Sequence, residues 1–472
     1  MIKSSNYNTN ATLQLLKLAW PVILSSLLHL TYNLIDMLWV GRLGSGAVAA
    51  VGSATFFINL GWAFASIITI GTTVSISHAV GAKNKILVQK YASSAFTAMI
   101  VMAGFYTSIL LLFPEYLIRF FEIQDPFVVE NAIKYLRINA IGIIIGFFNL
   151  ILGGILDAHG RTKSSFRTVL FGNIANIILD PFFIIYLDEG VPGAAYATVL
   201  SRTIALIYYV TLIRKNKLIQ LTLKHVGKEY LQKILKIGLP GSLQRTLFTL
   251  IAIVIGRIVA DFGTDAIASQ KIGLQIESIS FTIMGGLSQA MAILVGQNYG
   301  AKSYSNIQNL YKAGLRINIL IGGIMSLFFI CFSRQLVEIF VSTPETIEMG
   351  SAYLRIVGFS QIFMGLDMMT AGTYNGQGLT KYPAMNSIFQ TIFRIPFAYY
   401  LSHYTSLGLD GVWISISLTS VSRGIILYFM YKVRQKKLSR LSIVQFHKEM
   451  KKNKPENMEN EYPYSSNTIN DN

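Results

Sequence analysis

Cysteine is almost missing from this chain: Cys331 is the only one in 472 residues. A disulfide framework and a thiolate metal cluster are therefore excluded, and Cys331 itself reads as a small apolar residue in a hydrophobic stretch. Charge is also scarce, at 13% of residues against 52% hydrophobic, with a mean hydropathy of +0.49. A soluble domain of that composition could not cover its surface. The acidic side is the poorer, 23 Asp and Glu against 40 Lys and Arg, for a net charge of +17. In a soluble protein such an excess would suggest nucleic acid as a partner. Here it reports basic loops facing anionic lipid, and no nucleic-acid partner is expected. Enzyme signatures are missing too: there is no His-Glu-x-x-His metal motif, no Gly-x-Ser-x-Gly elbow and no His-Asp acyl-transfer pairing, so no catalytic residue and no organic cofactor are expected.

What the chain does have is long apolar runs. Stretches of about 20 residues, enough to cross about 30 Å of hydrocarbon, lie near 15 to 40, 53 to 78, 91 to 113, 131 to 156, 165 to 187, 193 to 213, 236 to 259, 272 to 296, 313 to 333, 350 to 375, 384 to 406 and 410 to 431. The polar start and the length of the first run are unlike a cleavable signal. An all-α polytopic membrane protein of about twelve transmembrane helices is predicted.

The chain also contains itself twice. Tyr135-Leu136-Arg137-Ile138 recurs as Tyr353-Leu354-Arg355-Ile356, and Gly160-x-Thr162-Lys163 as Gly378-x-Thr380-Lys381, both displaced by 218. Pro21 answers to Pro240 and Gly81-Ala82-Lys83 to Gly300-Ala301-Lys302 at 219, and Gly193 to Gly411 at 218. With six spans each, both halves enter the bilayer in the same sense, as parallel repeats around a central cleft. The division predicted is an N-terminal six-helix lobe over 1–213, a linker over 214–235, a C-terminal lobe over 236–432 and a polar, disordered tail over 433–472.

Loop charges set the orientation. Lys83, Lys85 and Lys90 follow the second span, Arg161, Lys163 and Arg167 the fourth, and a run from Arg214 to Lys236 fills the linker. Glu115, Glu122, Asp125 and Glu130, then Asp188 and Glu189, then Glu338, Glu345 and Glu348 occupy the alternate loops. Both termini and the tail are expected in the cytoplasm of a multi-pass protein of the cell membrane.

Ionisable side chains inside a bilayer cost several kcal/mol, on the order of 3, so those retained are functional candidates. In the first half they are Asp36, with Tyr32 a turn below it, and Asp180, with Asn176 at i−4 and Thr198 at matching depth on the next span. Pro181 removes a helical N–H and frees the carbonyl of Ile177. Together these make an oxygen-only nest for a proton or a hard cation such as sodium. Two carboxylates in one low-dielectric site resist being charged together, which suits reversible protonation. The bland alternative is that both are helix-end residues reaching the interface, with Asn176 and Thr198 as interhelical glue.

The second half holds Glu277 and Asp367 but also Arg245 and Arg394, and Asn176 plus 218 lands on Arg394. Charges there can cancel. Glu277 and Asp367 are read as internal structural pairs, as lining for a cationic-substrate path, or as a second ion site. Tyr32, Asn149, Glu277, Asp367, Arg245 and Arg394 are candidate cleft or secondary residues. Arg202 and Arg423 read as snorkelling side chains as readily as functional ones. His29 reads as a packed histidine before a proton relay, and Pro21 marks a hinge in the first span.

With those residues in view, 11 to 435 resembles the multidrug and toxic compound extrusion family. The likeness rests on Pro21, then Asp36-x-x-Trp39-Val40-Gly41-Arg42-Leu43-Gly44, Gly81-Ala82-Lys83, Asn176-x-x-x-Asp180-Pro181, Gly193 to Thr198, Gly296-Gln297-Asn298-x-Gly300-Ala301 and Arg394-x-Pro396. The resemblance implies a bacterial inner-membrane antiporter that exports amphipathic, often cationic drugs in exchange for protons or sodium. It implies coupling-ion roles for Asp36, Asn176, Asp180 and Thr198, which match residue by residue. In one branch a Glu follows the seventh-span proline. Here Gln244, Arg245 and Phe248 stand instead, and Asp367 matches that branch only at the level of the helix. No metal beyond a sodium ion at the coupling site is implied. Expected partners are membrane lipids and small amphipathic molecules, and a monomer is expected. The rivals are a flippase or exporter for a lipid-linked or other endogenous metabolite, which would favour fourteen spans and a cationic cavity, and a major-facilitator transporter, which would carry an Asp-Arg-rich signature where Gly81-Ala82-Lys83-Asn84-Lys85 stands.

Overall fold

The computed structural model describes residues 4–219 and 225–452, with side chains over 11–219 and 225–435. Those residues form helices and no strand. In the first half these are α1 (Ser4–Gly41), α2 (Ser45–Gly81), α3 (Lys85–Leu112), the short α4 (Pro114–Arg119), α5 (Pro126–Ala158), α6 (Thr162–Pro181) and α7 (Gly190–Lys215). The second half repeats the series as α8 (Lys228–Ala260), α9 (Thr264–Gly300), α10 (Tyr304–Cys331), short α11 (Ser333–Glu338), α12 (Pro344–Gly358), α13 (Gln361–Gly376), α14 (Lys381–His403) and α15 (Leu409–Lys452). Met1–Leu427 form one compact unit and Tyr428–Asn472 another. The stretch from 433, read as a disordered tail, is helical as far as Lys452. Its remainder lies outside the described residues, as do 220–224 of the linker.

Ten of these helices are long and apolar enough to cross a membrane. The expected tenth span is broken at Phe359-Ser360 into α12 and α13, of 15 and 16 residues, each too short alone. The expected eleventh, α14, has the length but is too polar. Its counterpart α6 is interrupted differently: Pro181 ends the regular ladder and a π-helix follows over Phe182–Tyr186. A proline that removes one donor and a wider turn that shifts the pairing leave backbone oxygens there without regular partners.

The duplication is written in the backbone. Left-handed turns fall at Gly44 and Gly263, Lys83 and Lys302, Gly160 and Gly378, and Gly190 and Gly408, 218 or 219 residues apart. Each half has its own apolar core, one around Ala54, Met99, Ile143 and Leu152, the other around Ile255, Leu354 and Trp413. A third cluster packs Ala11, Leu15 and Ala19 of α1 against Leu287, Met291 and Leu294 of α9, so the first helix is held by the opposite half.

The halves meet through contacts that interchange under the same offset. His78 Nε2 lies 2.7 Å from the carbonyl of Gly376, and Gln297 Nε2 donates to the carbonyl of Ala158 at 2.8 Å. Gly81 lies against the carbonyl of Gln297, and Gly300 against that of His78. Any side chain at either glycine would overlap that backbone. Gly71 meets Ile234 and Gly238 meets Ile67 just as closely, and Ser66 and Ser242 share a hydrogen bond of 2.6 Å. Apart from Ala158 at the end of α5 and Gly376 at the end of α13, these residues belong to α2, α8 and α9. Toward the Ser45, Ala260 and Thr264 ends the same helices leave Phe56, Leu60, Phe248, Ile253, Leu274 and Phe281 exposed.

Candidate coupling site and cleft

Four helices of the first half converge on one polar site. α1 brings Tyr32 and Asp36, α5 brings Tyr135 and Asn139, α6 brings Asn176 and Asp180, and α7 brings Thr198 and Arg202. Asn176 Nδ2 donates to Asp180 Oδ1 at 3.1 Å, a pairing that the i, i+4 spacing on α6 dictates. The hydroxyls of Tyr32 and Thr198 lie 3.4 Å apart and tie α1 to α7. Asp180 is 0% exposed, Asn176 1% and Thr198 3%. Asp36 Oδ1, Asn139 Oδ1, Asn176 Oδ1 and Asp180 Oδ2 are buried without a hydrogen-bond partner. Buried oxygens left bare are costly. Here they make a group of unsatisfied acceptors that favours a positive charge, and Asp36 and Asp180 are close enough for their charges to interact.

The four coupling-ion candidates and Tyr32 are thus brought together. Arg202, open in the sequence to a snorkelling or a functional reading, sits one turn from Thr198 on α7, and its guanidinium lies over Trp62 at 5.0 Å with Nη1 buried. Asn149 does not reach this group. Its Nδ2 donates to the backbone carbonyl of Arg202 at 2.9 Å and so fixes the height of α7 against α5.

The second half gathers a different set. Arg423 Nε and Asp367 Oδ2 form an ion pair at 3.0 Å, close enough to be a contact, with the N–H not aimed along it. Both residues are more than nine-tenths buried. Among the described residues Glu277 forms no ion pair. Its Oε2 accepts from Tyr353 at 2.7 Å, and Gln361 approaches its Oε1 at 3.5 Å while accepting from Ser280. Arg394 donates to Thr419 at 3.0 Å and to Ser420 at 3.3 Å. Arg245 is exposed on α8 with no ion pair among the described residues. Charge cancellation does occur in this half, but the partner is Arg423 rather than Arg245 or Arg394.

One carboxylate escaped the sequence reading altogether. Asp157, a turn before the Gly160 loop and just past the predicted end of the fourth span, is buried at the junction of the halves with Gln289 Nε2 3.4 Å from its Oδ2. Only the packing of α5 on α9 reveals that. Among the described residues no three His, Cys, Asp or Glu side chains gather as a metal site.

A family model described as MatE matches residues 21–182 and again residues 240–400. The chain belongs to the MatE family. The two matches fall one in each half, as the internal repeat requires, and a MatE protein is a multi-pass membrane transporter and not an enzyme. Among curated relatives, the probable multidrug resistance protein YoeA of Bacillus subtilis is 27% identical over 89% of this chain and 94% of its own length. The probable multidrug resistance protein NorM of Thermotoga maritima is also 27% identical, over 85% and 88%. The crystal structure of a MATE protein in a bent conformation superposes with a TM-score of 0.86 at 26% identity, covering 93% of this chain and 98% of that one.

Proposed function

We propose that this MatE chain is an antiporter that exports amphipathic, mainly cationic small molecules in exchange for a proton or sodium ion by alternating access. Asp36, Asn176, Asp180 and Thr198 hold the coupling ion, and the cleft between 1–213 and 236–432 holds the substrate. The observation that carries this reading is the cluster of bare oxygens on Asp36, Asn139, Asn176 and Asp180, buried within one lobe of a membrane transporter. Such a site binds or releases a cation at little structural cost, and carboxylates placed in hydrocarbon without a role would be eliminated. The names of the relatives support drugs as cargo. With the basic loops cytoplasmic, the clasp of His78 and Gln297 closes the cytoplasmic end, and the cleft opens outward.

Inverted membrane vesicles carrying the protein test this. Energised separately by a proton or a sodium gradient, they should accumulate ethidium and related fluorescent cations. Accumulation under neither gradient would overturn the antiport reading.

A further inference from the structure

Arg202 is the charge in the first-half site that the family resemblance does not account for. Its Nη1 is buried without a hydrogen-bond partner. Gly142 shows what it lies beside: the point where a Cβ would stand there is 3.6 Å from Arg202 Nη1 and 3.7 Å from Asn139 Oδ1. The guanidinium lies over the ring of Trp62, 5.0 Å from its centroid. The repeat shows what is missing. Arg202 plus 218 lands on Ser420, about one turn before Arg423 on the equivalent helix, and Asn149 plus 218 lands on Asp367. In both halves an asparagine donates to the arginine's backbone carbonyl, Asn149 to Arg202 and Asn386 to Arg423. Only Arg423 has a dedicated carboxylate, Asp367 at 3.0 Å. Where the second half has Asp367, the first has Asn149, and among the described residues Arg202 forms no ion pair with any carboxylate.

We infer that Arg202 is a resident cation of the coupling site and sets its ion choice, excluding sodium and leaving the proton. The inference rests on the antiport reading above. Sodium leaves water only if it recovers several oxygens at once, and those on offer share their site with a guanidinium whose fixed charge repels it. A proton needs one carboxylate oxygen and no shell. The groups facing the site from each packed helix are His29, Tyr32 and Asp36 of α1, Trp62 of α2, Tyr135 and Asn139 of α5, Asn176 and Asp180 of α6, and Thr198 of α7. Arg202 is the fixed cation among them.

The test is equilibrium binding of radioactive sodium to purified full-length protein, which is read without transport. The parent should show no saturable sodium binding, and Arg202→Gln should gain it, at least tenfold above the parent and abolished again when Asp36→Asn is added. Arg202→Met, which keeps the stem against Trp62, serves if the glutamine variant is not monodisperse. Saturable binding in the parent, or none in either monodisperse variant, overturns the inference. Failure of efflux under both gradients would instead strike the antiport reading alone.

Discussion

His78 and Gln297 stand 219 residues apart in equivalent places, and each reaches across to a backbone carbonyl of the other half, Gly376 and Ala158 respectively. The pair is a two-point clasp around the pseudo-symmetry axis. A buried carbonyl stripped of its donor costs about 1–3 kcal/mol, and 1.4 kcal/mol moves a two-state equilibrium about tenfold. Gln297→Ala is therefore expected to open the clasped end. In a Cys331→Ser background, thiol labelling at a Ser77→Cys reporter, buried in the closed form, should rise about tenfold. Unchanged labelling would show that the glycine contacts close that end unaided.

Neutralising either carboxylate of the first half should stop coupled transport without unfolding the protein. Asp36→Asn and Asp180→Asn each keep shape and remove a charge, so gradient-driven efflux in vesicles should fall to background while surface insertion persists. Intact efflux in the double variant, with loss in Asp367→Asn, would move the coupling site to the second half.

Asp367 is expected to act on stability first. Removing its charge leaves Arg423 buried and unpaired, a loss of about 3–5 kcal/mol, and the melting temperature in detergent should drop sharply. Asp367→Asn combined with Arg423→Met should recover most of it. Glu277→Gln should be milder, because a glutamine oxygen still accepts from Tyr353. A double variant no more stable than the single would argue against the pair.

Helix α1 runs unbroken through Pro21. The proline leaves the carbonyl of Lys17 without its helical donor, and Ser25 and Ser26 bond back to the carbonyls of Pro21 and Val22 at 2.9 and 3.1 Å, an arrangement that eases bending. Ile23 beside it presses on Gly286 of the opposite half. Pro21→Ala should stiffen this region and slow efflux severalfold, while binding of a fluorescent cation keeps its competition with the coupling ion. Transport at the parent's rate would remove the bend from the mechanism.

Membrane orientation is checked at the linker. A cysteine introduced at Lys217 in the Cys331→Ser background should react with an impermeant maleimide in inverted vesicles and stay unreactive in intact cells. Reaction in intact cells would reverse the orientation and the direction of the cleft.

Hydropathy and the repeat determined the membrane fold, because solvating a helix in hydrocarbon constrains nearly every residue along it and a duplication copies that constraint. Asp36, Asn176, Asp180 and Thr198 were legible for a related reason: bilayer depth follows from distance along a span, so polar residues at equal depth on adjacent helices can be matched without knowing how the helices pack. Facing is another matter. Which arginine meets which carboxylate depends on the rotation and tilt of each helix and on a side chain that reaches well beyond its own turn. Hence only the tertiary structure laid Arg202 over Trp62, gave Asp367 to Arg423 rather than to Arg394, and buried Asp157 between the halves. The break at Phe359-Ser360 belongs with these, since α5, its repeat, runs on unbroken with the same Tyr-Leu-Arg-Ile segment.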